Sequence, residues 1–141
     1  MARIKIDLPG TYDFSTTIPV RITDINYGGH LGNDSLLSVV HEARLQFLYA
    51  MGYSELDIEG RSIIMADAAA VYKAEIFYGD VLRIDIAVTD MQRMNCDIVY
   101  LISNNETQKE VARVKTGIVF FDYRERKPVA IPDLFRERFS T

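Results

Sequence analysis

The sequence predicts an α+β roll, in which one helix is wrapped by a sheet of long antiparallel strands. Residues 35–51 place apolar side chains over most of a helix surface, so that helix needs cover on several sides. From residue 62 onward the hydrophobic pattern changes to period two and stays there, as in successive strands. A single sheet can cover such a helix only by curling around it. At 141 residues, 48% hydrophobic and 26% charged, the chain has the length and composition of one globular domain, residues 1–141.

The elements follow in order. Pro9-Gly10 is a turn, and Phe14 to Arg21 alternates as a strand that ends in a polar loop. The helix runs from about Ser35 to Met51. Its polar residues Ser35, Ser38, Glu42 and Gln46 recur three or four apart and line one face. Asn33 or Asp34 can cap its start, and Gly52 is placed to end it in a left-handed conformation. Ser62 to Phe77 reads as a long strand ended by Tyr78-Gly79-Asp80, and Val81 to Asp90 as a half-buried strand. Met94 to Ser103 and Glu110 to Tyr123 are two more strands, joined by a hairpin turn at Asn104-Asn105-Glu106. Pro132-Asp133 starts a short helix carrying Leu134, Phe135 and Phe139. One helix and one open sheet leave an edge strand and part of a face uncovered, so a homodimer is expected.

Composition narrows the function. The net charge of −4 argues against nucleic acid, whose binders are basic. The one cysteine, Cys96, excludes a disulfide framework and fits a reducing, cytoplasmic setting. With no activating His or Lys beside it, Cys96 reads as a buried structural thiol. No apolar run reaches the ~18 residues of a membrane span, and Met1 to Asp7 has no signal-peptide form.

Chemistry concentrates in one segment. Asp24-Ile25-Asn26-Tyr27-Gly28-Gly29-His30-Leu31-Gly32-Asn33-Asp34 brings two carboxylates, two carboxamides, a histidine and three glycines in front of a helix start. Permissive, polar chain aimed at a helix N-terminus suits an anion or a developing oxyanion. Asp24, Asn26 and His30 are the candidate catalytic residues. Asp24 and Asn26 point to the same side if the chain is extended there, and histidine, here His30, is a residue type suited to acid–base work. Asp24 and Asn26 equally suit bonding the loop's own amides. Asn33, Asp34, Glu42 and Asp67 are candidate substrate contacts. Glu42 lies on a helix expected to be enclosed, so it needs a partner there, an Arg for instance. Asp67 interrupts the apolar run Ile63 to Ala70, where a charge calls for a partner or a function. No set of metal ligands is apparent.

These residues resemble the hotdog-fold thioesterases, specifically the 4-hydroxybenzoyl-CoA thioesterase-like acyl-CoA thioesterases. Residues 24–33 resemble the family's Asp-x-Asp-x-x-Gly-His-x-Asn-Asn signature, and His41-Glu42-Ala43-Arg44 matches its Glu-Ala-Arg. Val71 to Asp80 resembles the strand with an aromatic and a Gly-Asp turn, and Lys127-Pro128-Val129-Ala130-Ile131-Pro132 the family's ending. The resemblance implies a central helix in a five- or six-stranded antiparallel sheet. It also implies a homodimer joined edge to edge, or a homotetramer, with active sites between subunits. It further implies a thioester of coenzyme A or acyl carrier protein as substrate, with no metal or redox cofactor. Hydrolysis would be helped by a loop carboxylate and by a backbone amide, of Asn33 or its neighbour, at the helix start. Lys73, Arg124, Arg126 and Lys127 would be available to coenzyme A phosphates. The family's usual catalytic Asp falls on Asn26, and a carboxamide cannot be a general base. Asp24 or another carboxylate would then take that role. An acyl-thioester binding domain without catalysis is the alternative. A dehydratase ranks last, because Leu31-Gly32-Asn33-Asp34 replaces the Gly-His-Phe-Pro-Gly stretch of those enzymes.

Overall fold

Alternation in the second half of the chain builds one sheet with a continuous apolar face. The computed structural model describes residues 3–139, so Met1 and Ala2 of the expected N-terminal reading, and the last two residues of the expected 1–141 domain, lie outside the described residues. The strands are β1 (Phe14–Pro19), β2 (Ser62–Tyr72), β3 (Val81–Thr89), β4 (Asn95–Asn104), β5 (Glu110–Asp122) and the short β6 (Lys127–Pro128). They form an antiparallel sheet in the order β1-β3-β4-β5-β2, with β6 paired to the end of β5. Register aligns every second residue: Ile84 faces Ile102, Ile86 faces Tyr100, and Tyr100 faces Val114. These side chains are fully buried.

Helix α1 (Asn33–Ala50) supplies the other half of the core with Leu36, Val39, Val40, Ala43, Phe47 and Leu48. Gly52 follows it at φ 83°, in the left-handed region that glycine alone enters without strain. Helix α2 (Asp133–Phe139) closes the far end of α1: Phe139 packs 5.5 Å from Phe47 and 4.8 Å from Phe135, ring centre to ring centre. Leu134, expected to join them, is exposed. The outer face of the sheet is partly strapped by the N-terminal arm, whose Ile6 is buried and whose carbonyl accepts from Arg113 Nη1 at 3.0 Å.

Three expectations need correction. Helix α1 is covered on one side only, with Leu37, Leu45 and Tyr49 exposed, because a single sheet reaches one flank of a helix. The expected cap by Asn33 or Asp34 does not form: Gly32 is the N-cap, and both residues lie inside the first helical turn. Strand β2 stops at Tyr72, five residues before Phe77. There the amides of Lys73 and Ala74 both turn to the Val111 carbonyl, and the chain leaves the ladder. Buried Ile76 then accepts from the Leu31 amide at 2.8 Å, tying this segment to the polar loop.

Candidate active site

The loop before α1 is closed by its own hydrogen bonds. Ile22–Asp24 forms a 3₁₀ turn, and Ile25 and Leu31 make an antiparallel bridge. Across that bridge the Asn26 amide donates to the His30 carbonyl at 2.9 Å, and the Gly32 amide donates to the Asp24 carbonyl at 3.1 Å. The tip reverses at Gly29, φ 85°.

The 3₁₀ turn takes both oxygens of Asp24. Arg21 donates its backbone amide (2.9 Å) and Nε (3.4 Å) to Oδ2, and Nη2 to Oδ1 (3.1 Å). Asp24 is 4% exposed and Arg21 stands mostly in solvent. Burial alone would raise the Asp24 pKa, but the Arg21 hydrogen bonds and charge outweigh it and hold the carboxyl below the usual range. A carboxylate so engaged is a weak base. Asn26 Oδ1 accepts from the Gly28 amide at 2.9 Å, which locks the carboxamide in a local turn. The His30 ring lies over Gly28 beside that carboxamide, so close that a Cβ at Gly28 would stand 3.4 Å from Nε2 and 3.2 Å from Asn26 Oδ1.

The loop delivers the chain to α1 through Gly32. A glycine cap has no side-chain oxygen to give the first turn. The Leu36 amide bonds Gly32 O at 3.1 Å, and among the described residues the amides of Asn33, Asp34 and Ser35 have no acceptor. They leave three donors at the positive end of the helix. Asp34 lies against this cap: a Cβ at Gly32 would meet Asp34 Oδ1 at 2.9 Å and Asn26 Cβ at 3.7 Å. Glycine therefore lets Asn26 and Asp34 close on the same point of backbone. Tyr72 stands at the end of β2. Burial and then the Asp34 charge push its phenol above the ordinary pKa.

The structure thus brings Asn26, His30, Asn33 and Asp34 together. Asp24 borders a separate cleft of about 240 Å³ beside Arg21, Ser38, Glu42 and Gln46. Glu42 is exposed there rather than enclosed, and it accepts from Gln46 at 3.4 Å instead of pairing with an Arg. Asp67 does not reach the loop. It sits in mid-β2 opposite Gly117, largely exposed, and takes a 2.9 Å hydrogen bond from Lys115, which lowers its pKa. β2 is an edge strand, so a charge in its centre meets water. Lys73, Arg124, Arg126 and Lys127 are exposed, and the last three follow β5 at the end of the sheet opposite Tyr72. Cys96 is buried, which pushes its thiol up to about 12 and leaves it protonated at neutral pH.

A second polar group sits inside the core around Arg44, which the sequence offered only within the Glu-Ala-Arg match and with no role of its own. Arg44 is 4% exposed. Its Nε donates to Glu55 Oε2 at 2.9 Å and its Nη1 to Tyr100 Oη at 3.2 Å. Tyr100 shares a 2.9 Å hydrogen bond with Thr116, and His41 Nε2 lies 3.0 Å from Glu55 Oε1. The signal was the spacing of Arg44 with Val40, Ala43 and Phe47, which puts a charge on the buried stripe.

The family model of the thioesterase-like superfamily matches residues 20–139. The chain belongs to the thioesterase-like superfamily. The match spans the loop, the helix and the whole sheet, and the fold is that of the hotdog thioesterases. Among solved structures, a 1,4-dihydroxy-2-naphthoyl-CoA thioesterase from Synechocystis superposes with a TM-score of 0.80 at 22% identity, covering 89% of this chain and 94% of its own. A DHNA-CoA thioesterase from Staphylococcus aureus gives 0.79 at 22% identity, covering 89% and 87%. A hypothetical protein from Aquifex aeolicus gives 0.80 at 21% identity, covering 91% and 100%. At these identities the likeness is one of fold. No curated protein matches the sequence significantly. Among the described residues no helix of this thioesterase-like chain is long and apolar enough to cross a membrane.

Proposed function

We propose that this thioesterase-like chain hydrolyses an acyl thioester of coenzyme A or acyl carrier protein at the N-terminus of α1. The observation that carries the reading is the set of three unpaired amides behind the Gly32 cap, with Asn26, His30 and Asp34 around them. A thioester oxygen seated on those amides is polarised, and the tetrahedral oxyanion that follows is stabilised more strongly than the ground state. Water attacks the carbonyl carbon and gives its proton to a carboxylate. The C–S bond then breaks, and that proton goes to the departing thiolate, leaving free acid and thiol. Asp34 is the carboxylate best placed for this, since its oxygens are free of side-chain partners among the described residues while those of Asp24 are taken by Arg21. Asn26 and His30 orient the water and the thioester. The reaction as written needs no cofactor.

The edge of β2 supports a homodimer as the working form. Its central residues Met65 to Ala68 are exposed on an 11-residue edge strand that pairs with β5 on one side only among the described residues, an arrangement that invites a second strand. Sedimentation at micromolar concentration should give twice the 16.1 kDa chain mass, or four times it for a tetramer.

Following free thiol during incubation with short, long and aromatic acyl-CoAs and acyl carrier proteins tests the activity. Release from at least one, lost in Asp34→Asn, supports the reading. Tight binding without release would make the chain an acyl-thioester binding domain, which the engaged Asp24 and the carboxamide of Asn26 would both suit.

A further inference from the structure

The open edge of β2 carries a charge at its centre, and the fold turns that charge away from the edge. Asp67 is the sixth of the strand's 11 residues. It stands opposite Gly117 of β5, and Asp97 of β4 stands opposite the same glycine from the other side. Lys115 lies between the two carboxylates, its Nζ 2.9 Å from Asp67 Oδ1 and 3.6 Å from Asp97 Oδ1. The Asp67 side chain therefore leans inward over β5, across the place where Gly117 has no side chain. A Cβ at Gly117 would overlap Asp67 Oδ1 and stand 3.0 Å from its Cγ.

The backbone of Gly117 is ordinary strand, outside the left-handed region, and does not itself call for glycine. Glycine weakens a strand interior, and its presence there marks the close approach of another group. Here that group is the Asp67 carboxylate. Gly117 gives it room and Lys115 gives it a partner, so the charge rests over the sheet instead of at the rim.

The other edge of the sheet is guarded differently. Strand β1 has six residues and ends in Pro19, whose nitrogen has no hydrogen to donate. Strand β2 is longer and flat, with alanine at 66, 68, 69 and 70. When Ser62–Tyr72 pairs antiparallel with its own copy in full overlap, residue 67 falls opposite residue 67. Opposed residues point to the same face with Cβ atoms about 5 Å apart, where like charges destabilise the pair. A second copy always brings a carboxylate to that place, so self-pairing is the event for which drawing Asp67 back matters.

We infer that Gly117 and Lys115 hold Asp67 clear of the β2 edge and so admit a second copy of this chain, and that Asp67, once displaced, closes the edge. This rests on the homodimer reading above and names what keeps its seam open. The three residues position an interface and take no part in thioester chemistry.

Sedimentation equilibrium of the full chain over a range of concentrations tests this. Gly117→Ala should weaken the dimer by about tenfold or more, because the added Cβ pushes Asp67 outward against its copy. Lys115→Met should weaken it in the same direction, and serves where Gly117→Ala fails to fold. Adding Asp67→Ala to either variant should restore wild-type association, a rescue that general damage to the fold would not show. Asp67→Ala alone should associate at least as tightly as the wild type. Equally tight dimers in all variants overturn the inference and leave the homodimer reading standing. Weakening that persists in the double variants with Asp67→Ala also overturns it. A wild type and an Asp67→Ala variant that both stay monomeric overturn the homodimer reading and the inference together.

Discussion

Two arginine–carboxylate pairs flank α1, and they are built inside out with respect to each other. At the loop the anion is inside: Asp24 is 4% exposed and Arg21 69%. In the core the cation is inside: the Arg44 side chain is 5% exposed and that of Glu55 30%. The first pair is closed. Three donors from Arg21 saturate the carboxylate and shape the turn that carries the loop to the helix. The second is open, since Glu55 and Tyr100 use only part of the guanidinium. The buried partner decides what a pair can still do, and a saturated group gives structure while a partly satisfied one keeps capacity for a ligand.

The largest expected break in this comparison is thermodynamic. Arg44→Ala should cost about 3 kcal/mol, because it strips hydrogen bonds from Tyr100 and Glu55 inside the fold. Arg21→Ala should cost less, because its side chain is in water and its backbone amide still bonds Asp24. Urea unfolding of both variants checks this, and equal costs would end the distinction between the pairs.

Next comes activity. Asp34→Asn should lower kcat by about 100-fold if it is the general base. Asp24→Asn should mainly lower stability, because the carboxamide keeps one acceptor oxygen but loses the charge that pairs with Arg21. Thiol-release assays beside unfolding curves separate the two. An Asp24→Asn enzyme that is stable yet inactive would return the base to Asp24.

A gentler test uses Asn26. Asn26→Ala should reduce turnover by less than Asp34→Asn, because it removes an orienting group rather than a base. Asn26→Asp should raise turnover by restoring a carboxylate beside His30.

The smallest effect is in pH. Burial raises the Glu55 pKa, but the hydrogen bonds from His41 and Arg44 bring it below its ordinary 4.5. A depressed carboxylate stabilises the folded chain above its unfolded pKa. That stability is lost as pH falls through the folded value. Asp24 acts the same way from its lower ordinary value of 3.8. Glu55→Gln should therefore shrink the fall in urea midpoint between about pH 6 and pH 3, leaving the remainder to Asp24 and other carboxylates.

Much of this was legible before the structure. The helix and the strands other than β2 stand within about two residues of their expected bounds, because a period of two or of three to four is a local consequence of backbone geometry. The Asn104 turn also formed as expected, its Oδ1 accepting from the amides of Glu106 and Thr107. The polar loop was legible as a cluster of residue types. Its division of labour was not. Asp24 turns to Arg21 because a 3₁₀ turn replaces the extended chain assumed there, and the cap passes to Gly32 because Asn26 and Asp34 crowd that point.

By itself the sequence determined the fold class, the position of the helix and the segment where chemistry gathers, since each depends on neighbours within a few residues. Only the tertiary structure decided which charges are inside. Arg44 meets Tyr100 across 56 positions of chain, and Tyr100 in turn bonds Thr116, while Asp67 stays in water because its strand lies at an edge. Burial is set by what the folded chain brings from far away, and no local pattern encodes the partner that a buried charge will find.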